Sequence, residues 1–285
     1  MTNHNINFDE DLAMLEYYQA MGVNLAVEEK TIDRFADAKN NIENKKQHTR
    51  PENKSNISTL ISQKNISQED IPQENITQQA KDIARSARDL SELEELMKGF
   101  NGCELKKRAT QIVFCDGNPK SDIMIIGEAP SRDDDIEGKP FVGRSGQLLD
   151  RMLKAIRLDR SNVYITNIVA WRPPGNRNPT ASEIASCLPF LHRQIELIKP
   201  KIILTLGAPA AHTIFSCKTP ISKLRGKWQQ FELNDLSIKT LNNLSIKTLA
   251  TFHPAFLLRQ PAQKAQAWQD LLMLKTAIDE LANNA

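Results

Sequence analysis

The stretch IMIIGEAPSRDDDIEGKPFVGRSGQLLD, residues 123–150, decides the fold. It opens with a continuous apolar run of strand length (123–126), passes through a polar loop, and resumes helical spacing at 147–156. The same unit recurs three times: strand 163–167 before helix 182–198, strand 202–206 before helix 208–215, and strand 249–252 before a histidine loop and a last helix at 262–281. Repeated strand–loop–helix units with continuously apolar strands predict an α/β fold, a parallel sheet covered on both faces. Such sheets bind ligands just outside the carboxyl ends of their strands. Four short strings fall there: Gly127-Glu128-Ala129-Pro130, then Gly138-Lys139-Pro140-Phe141-Val142-Gly143, then Thr166-Asn167 with Trp171-Arg172-Pro173-Pro174, and His253-Pro254-Ala255-Phe256-Leu257-Leu258-Arg259. Acidic groups, an aromatic platform, a carboxamide and a histidine on one rim suit a flat polar heterocycle.

The bulk composition narrows the class. With 285 residues and a formal net charge of +2, the chain has no global polycationic signal, so any affinity for nucleic acid must come from local basic clusters. The longest apolar runs are strand-sized, so no membrane span is expected. The first residues, Met1 to Asn5, have neither a basic nor an apolar leader pattern, and a cytoplasmic protein is expected. Four cysteines, Cys103, Cys115, Cys187 and Cys217, contain no C-x-x-C pair and read as isolated thiols.

Three regions follow from composition. Residues 1–37 form an N-terminal helical segment, in which Leu12, Met14, Leu15, Tyr18 and Met21 approximate helical spacing behind Asp9, Glu10 and Asp11; it either packs on the main domain or docks an unknown partner. Residues 38–79, rich in Asn, Gln and Lys and without Phe, Trp, Tyr or Gly, read as a disordered linker. Residues 80–285 form the catalytic-type domain, beginning with helical periodicity over 79–97 that stops at Gly99. An octapeptide is duplicated with one change, LNDLSIKT at 233–240 and LNNLSIKT at 241–248, which is expected to lengthen a hairpin or edge strand.

On three motifs the chain resembles the bacterial and archaeal type-four uracil-DNA glycosylases, which normally carry an iron–sulfur cluster. The motifs are GEAPSRDDDIEGKPFVGRSGQLLD, TNIVAWRPPGNRNPTASEIASCLPFL and TFHPAFLLR, and the resemblance runs from about residue 98 to 277. It implies a three-layer α/β/α sandwich around a four-stranded, mainly parallel sheet. It also implies hydrolysis of the bond between uracil and deoxyribose in DNA, single- or double-stranded, by a monomer. The family's cluster is held by four cysteines. Cys103 and Cys187 match two of these positions, but Phe100 and Trp171 stand at the other two. Two thiolates cannot complete a Cys₄ site, and the aromatics would fill the space, so a member without the cluster or any other cofactor is expected. The alternative recruits Cys115 as a substitute ligand.

The resemblance assigns roles to individual residues. Phe141 is the platform on which uracil stacks. Asn167 offers one donor and one acceptor, matching uracil and mispairing with cytosine. Glu128 and Ala129 line the pocket, Glu128 beside the C5 position. Of the acidic run Asp133, Asp134 and Asp135, two are expected on a solvated loop. Asp134 inherits the water-orienting role of a longer Glu, with Ser131 standing where glycine is usual. His253 donates to uracil O2 as charge develops there. Leu257 or Leu258 is expected to wedge into the stack, with Arg259 and Arg172 on the backbone and Arg177, Arg144 and Lys139 nearby. No Gly-x-Ser-x-Gly elbow and no Walker loop occurs. A covalent DNA-trapping relative uses an extra histidine after the Asn strand, and residues 171–182 contain none. The competing reading is a DNA-binding module of the same fold whose catalysis has decayed.

Overall fold

A computed structural model of the chain describes residues 73–232 and 245–283. The expected helix within 1–37, most of the 38–79 linker and most of the duplicated octapeptide lie outside the described residues. The first helix, α1 (Gln73–Ser86), starts inside the span read as linker. Ile76, isolated in the sequence, and Ile83, two turns later, pack on the same core beside buried Ala80 and Ala84. The single helix expected over 79–97 is two. Asp89 adopts extended backbone, accepts the Glu92 N–H and starts α2 (Leu90–Gly99).

Among the described residues the sheet has six strands: β1 (Asp116–Gly117), β2 (Ile123–Gly127), β3 (Tyr164–Asn167), β4 (Ile202–Leu206), β5 (Trp228–Glu232) and β6 (Ser245–Thr251). Their order is β1-β3-β2-β4-β6-β5. The four inner strands are mutually parallel, which is the four-stranded sheet expected. The two edges are antiparallel additions. Neither had a legible signal: β1 is two residues long, and β5 (WQQFE) has no continuous apolar run. The second octapeptide copy runs into β6, whose Ser245 pairs with Glu232 of β5.

Alternation along the inner strands feeds two cores. Met124 and Ile126 of β2 join one, with Tyr164, Ile203 and the helices α1, α2 and α5 (Ala181–Ile198). Ile123 and Ile125 join the other, with Ile165, Leu204, Leu249 and the helices α4 (Arg144–Ala155) and α9 (Lys264–Asn283). Both faces are therefore apolar and covered, giving the three layers.

Three short helices replace expected loops. The acidic run forms α3 (Arg132–Glu137), because Ser131 and Asp134 make a reciprocal capping box: each side chain accepts the other residue's backbone N–H. Helix α7 (Ile221–Leu224) precedes β5, whereas α6 (Ala208–Ile214) is the helix expected after β4. The histidine loop is α8 (Pro254–Arg259), with His253 as N-cap and proline at its first position. Leu204→Ala, in the fully buried centre of β4, is expected to lower the unfolding free energy by about 2–5 kcal/mol. Ile136→Ala, on a side chain 57% exposed, is expected to leave it unchanged; urea unfolding of both variants checks the pair.

Candidate active site

The four parallel strands end on one rim, and each delivers part of the site. From β2 come Glu128, Ala129 and Pro130, from β3 Asn167, from β4 Gly207, and from β6 Phe252 and His253. Glu128, Ala129, Pro130, Gly207, Phe252 and His253 border a cavity of about 580 Å³, lined also by Asp134, Phe141, Phe256 and Arg259, while Asn167 is not among its lining residues and lies against the Phe141 ring. That volume exceeds a single base and leaves room for a nucleotide and part of its strand.

The approach of Asn167 to Phe141 depends on Gly127. A Cβ there would lie 2.3 Å from Asn167 Oδ1 and 2.6 Å from Phe141 Cζ, so only glycine lets the carboxamide and the ring approach together. Asn167 is 4% exposed, and both its Oδ1 and Nδ2 are buried without a partner among the described residues. Leaving such atoms unpaired costs about 1–3 kcal/mol each. Glu128 Oε1 is buried and unpartnered in the same way, and burial raises the Glu128 carboxyl above its usual range. The orphaned polar atoms therefore include an amide donor, an amide acceptor and a carboxyl oxygen.

Phe141 is buried with its ring centroid 5.7 Å from that of His253. Its backbone is left-handed, with φ of 58°, an uncommon conformation for a bulky residue. The His253 Nδ1 accepts the Ala255 N–H at 3.1 Å, which leaves the ring proton on Nε2. Desolvation, with Arg259's charge adding to it, pushes this imidazole down to about 4, so it is neutral at physiological pH.

Asp134 is buried, and each carboxylate oxygen holds a backbone donor: Oδ2 the Ser131 N–H and Oδ1 the Val142 N–H, both at 2.8 Å. A carboxylate offers about four acceptor positions, so two remain. Ser131, odd as a replacement for glycine, is thereby explained as Asp134's capping partner, and the Ser-x-x-Asp spacing was the signal for it. The expectation that two of the three aspartates sit on a solvated loop is corrected. Asp135 is also buried, accepting from Thr110 N and Oγ1 at 2.8 Å, and only Asp133 is exposed.

Other expected residues fall elsewhere. Leu257 is fully buried in the core under α4 and α9, so it is not the wedge; the helical phase of α8 turns it inward. Leu258 is half-buried against the same core. Arg172 donates to Asn176 Oδ1 at 2.7 Å, and neither it nor Leu257 and Leu258 lines the cavity. Arg177 reaches the cavity, but its guanidinium is paired with Glu183 at 2.6 Å. Sequence reasoning missed Phe256 and Asn176 as lining residues, and Arg160, which holds the backbone of Phe141.

Cys103 and Cys187 face each other, Sγ to Sγ 3.7 Å, and both are buried. Their hydrogen bond draws the Cys103 thiol down to about 7 and, with burial, pushes Cys187 up. Phe100 and Trp171 are each 2% exposed, and Phe100 packs at a tilt against Phe190 with centroids 5.2 Å apart. Among the described residues no group of three or more His, Cys, Asp or Glu side chains is placed to hold a metal, and Cys115 does not complete one. Two buried thiols do not by themselves supply the four thiolates of an iron–sulfur cluster.

The family model of the uracil DNA glycosylase superfamily matches residues 114–272. The type-4 uracil-DNA glycosylase of Archaeoglobus fulgidus is 41% identical over 172 residues, covering 59% of this chain and 82% of the relative. That of Pyrobaculum aerophilum is 37% identical over 189 residues, covering 65% of this chain and 92% of the relative. That of Thermotoga maritima is 39% identical over 168 residues, covering 59% and 82%. Over most of its relatives' length, and with the strand-end site just described, the chain belongs to the type-4 family of the uracil DNA glycosylase superfamily.

Proposed function

We propose that the cavity receives a uracil nucleotide swung out of DNA, and that the protein is a monofunctional uracil-DNA glycosylase acting as a monomer in the cytoplasm to begin base excision repair. The observation that carries this reading is the Asn167 carboxamide, buried and unpartnered on both atoms beside the Phe141 ring. Its Oδ1 accepts uracil N3–H and its Nδ2 donates to O4. Cytosine presents the opposite pattern at both positions and leaves two buried groups mispaired. Phe141 stacks on the base, and Glu128 and Ala129 close the pocket beside it.

In the reaction, water oxygen bonds to the sugar C1′ while the C1′–N1 bond breaks and its electron pair leaves with uracil. Negative charge gathers on uracil O2, where the Nε2–H of neutral His253 donates to it. Asp134, with two of its acceptor positions held by backbone, uses a remaining one to orient the water. Its negative charge faces the cationic sugar, and the water proton passes by way of it to solvent. The product is an abasic site with inverted C1′ and no strand cut. Arg259, exposed at the cavity edge, meets a phosphate. Leu258 is the remaining candidate to enter the vacated stack. No step passes through an iron–sulfur cluster, whose place the Phe100 and Trp171 rings take.

Four measurements test this. Asn167→Ala is expected to lower excision of uracil from labelled oligonucleotides by at least about a hundredfold. DNA bound tightly but never cut by the native protein would instead favour the decayed binding module. Because His253 works as a neutral donor with a pKa of about 4, the single-turnover rate should show no inflection near the ordinary histidine value of 6.5. Its acid limb should lie nearer the lower value. The folded-state value is depressed, so stability also falls with pH from 6.5 towards 4 as the unfolded chain takes up the proton first. His253→Gln should flatten that slope. Protein purified without oxygen is expected to be colourless and free of stoichiometric iron; a brown protein would overturn the aromatic replacement.

A further inference from the structure

Phe141 owes its position to atoms far from it in sequence. Its left-handed backbone would relax towards an extended form unless both neighbouring peptides were held. On one side the Val142 N–H is held by Asp134 Oδ1. On the other, Arg160 donates from Nη1 to the Pro140 carbonyl at 3.1 Å, while its Nη2 donates to the Phe141 carbonyl, the opposite end of the peptide whose N–H Asp134 holds. The same guanidinium donates from Nη1 to Asp116 Oδ2 at 2.6 Å and from Nε to Asp150 Oδ1 at 2.8 Å. Arg160 sits in the turn Arg160–Asn162 just before β3, Asp116 on the edge strand β1, and Asp150 on α4. Three separate elements thus converge on two carbonyls of the platform loop. Gly146 of α4 completes the seat: a Cβ there would lie 1.5 Å from the Phe141 oxygen.

We propose that Arg160, braced by Asp116 and Asp150, is the positioning residue of the base-stacking platform, setting the Phe141 ring through its carbonyl without touching substrate. The fork geometry of the guanidinium is what this job requires. Two carbonyls and two carboxylates are met at once in fixed directions, which a lysine ammonium on a flexible stem cannot reproduce. The carboxylates matter as well, since an unpaired guanidinium at 25% side-chain exposure would turn outward to water. The proposal rests on the reading of Phe141 as the stacking platform.

The test is a double-mutant cycle on uracil excision from an oligonucleotide, read together with inhibition by free uracil. Arg160→Ala is expected to slow single-turnover excision by about tenfold or more, and to weaken inhibition by free uracil to a similar degree. Arg160→Lys should recover only part of each. In a Phe141→Ala background, Arg160→Ala should cost less than about twofold, because the ring it places is gone. Losses that simply multiply, with Phe141 needed for rate, would overturn the positioning role and leave the stacking role standing. A Phe141→Ala protein with full rate would overturn both. Asp150→Asn keeps the arginine and most of its contacts, so it carries the same cycle should Arg160→Ala fail to fold. Its effect should have the same sign, be smaller, and vanish without Phe141.

Discussion

The parallel pairing of β2 with β3 sets Gly127 opposite Asn167, and the site is built on that register. A slip of one residue would turn Asn167 to the other face of the sheet. A side chain at 127 would strike the carboxamide and the Phe141 ring together. Because β4 and β6 continue the same parallel order, their ends bring Gly207 and His253 to the same rim. Sheet topology thus does the first part of the site's work, before any side chain makes a specific contact.

The cavity keeps polar atoms in a state that folding alone would select against. Asn167 and Glu128 hold buried atoms without partners, at about 1–3 kcal/mol each. The two apolar cores on either side of the sheet offset this. A ligand that supplies the missing partners recovers the penalty on binding, and one with the wrong donor pattern does not. Selectivity of this kind is stronger than any that an apolar pocket supplies. His253 is prepared in the same spirit, its tautomer set by the first turn of α8 and its charge suppressed by burial.

The segment before the sheet is tied down by hydrogen bonds and packing. Lys106 Nζ donates to the Phe100 carbonyl at 3.0 Å and to Asn101 Oδ1 at 2.8 Å. Phe100 packs on Phe190 of α5, and Cys103 meets Cys187 of the same helix. Lys106 thereby braces the segment internally, and the Cys103–Cys187 contact and aromatic packing join it to α5.

The inner strands, the long helices that follow them and the four motif strings were legible in the sequence, because continuous apolar runs and helical spacing are local patterns that leave a periodic mark. So were Phe141, Asn167, His253 and Glu128, since each follows directly on a strand end or a glycine-bounded loop. Edge strands of two and five residues left no such mark, and neither did short helices whose caps, not their spacing, define them. The split between Leu257, buried, and Phe256, in the cavity, rests on the phase of one helical turn against the core. The double anchoring of Asp134 and the reach of Arg160 to Phe141 join residues 8 and 19 positions apart. Local patterns therefore determined the elements and the chemical groups at their ends. Only tertiary structure decided which groups meet, because contacts across a chain depend on how its elements pack and not on how they are spaced along it.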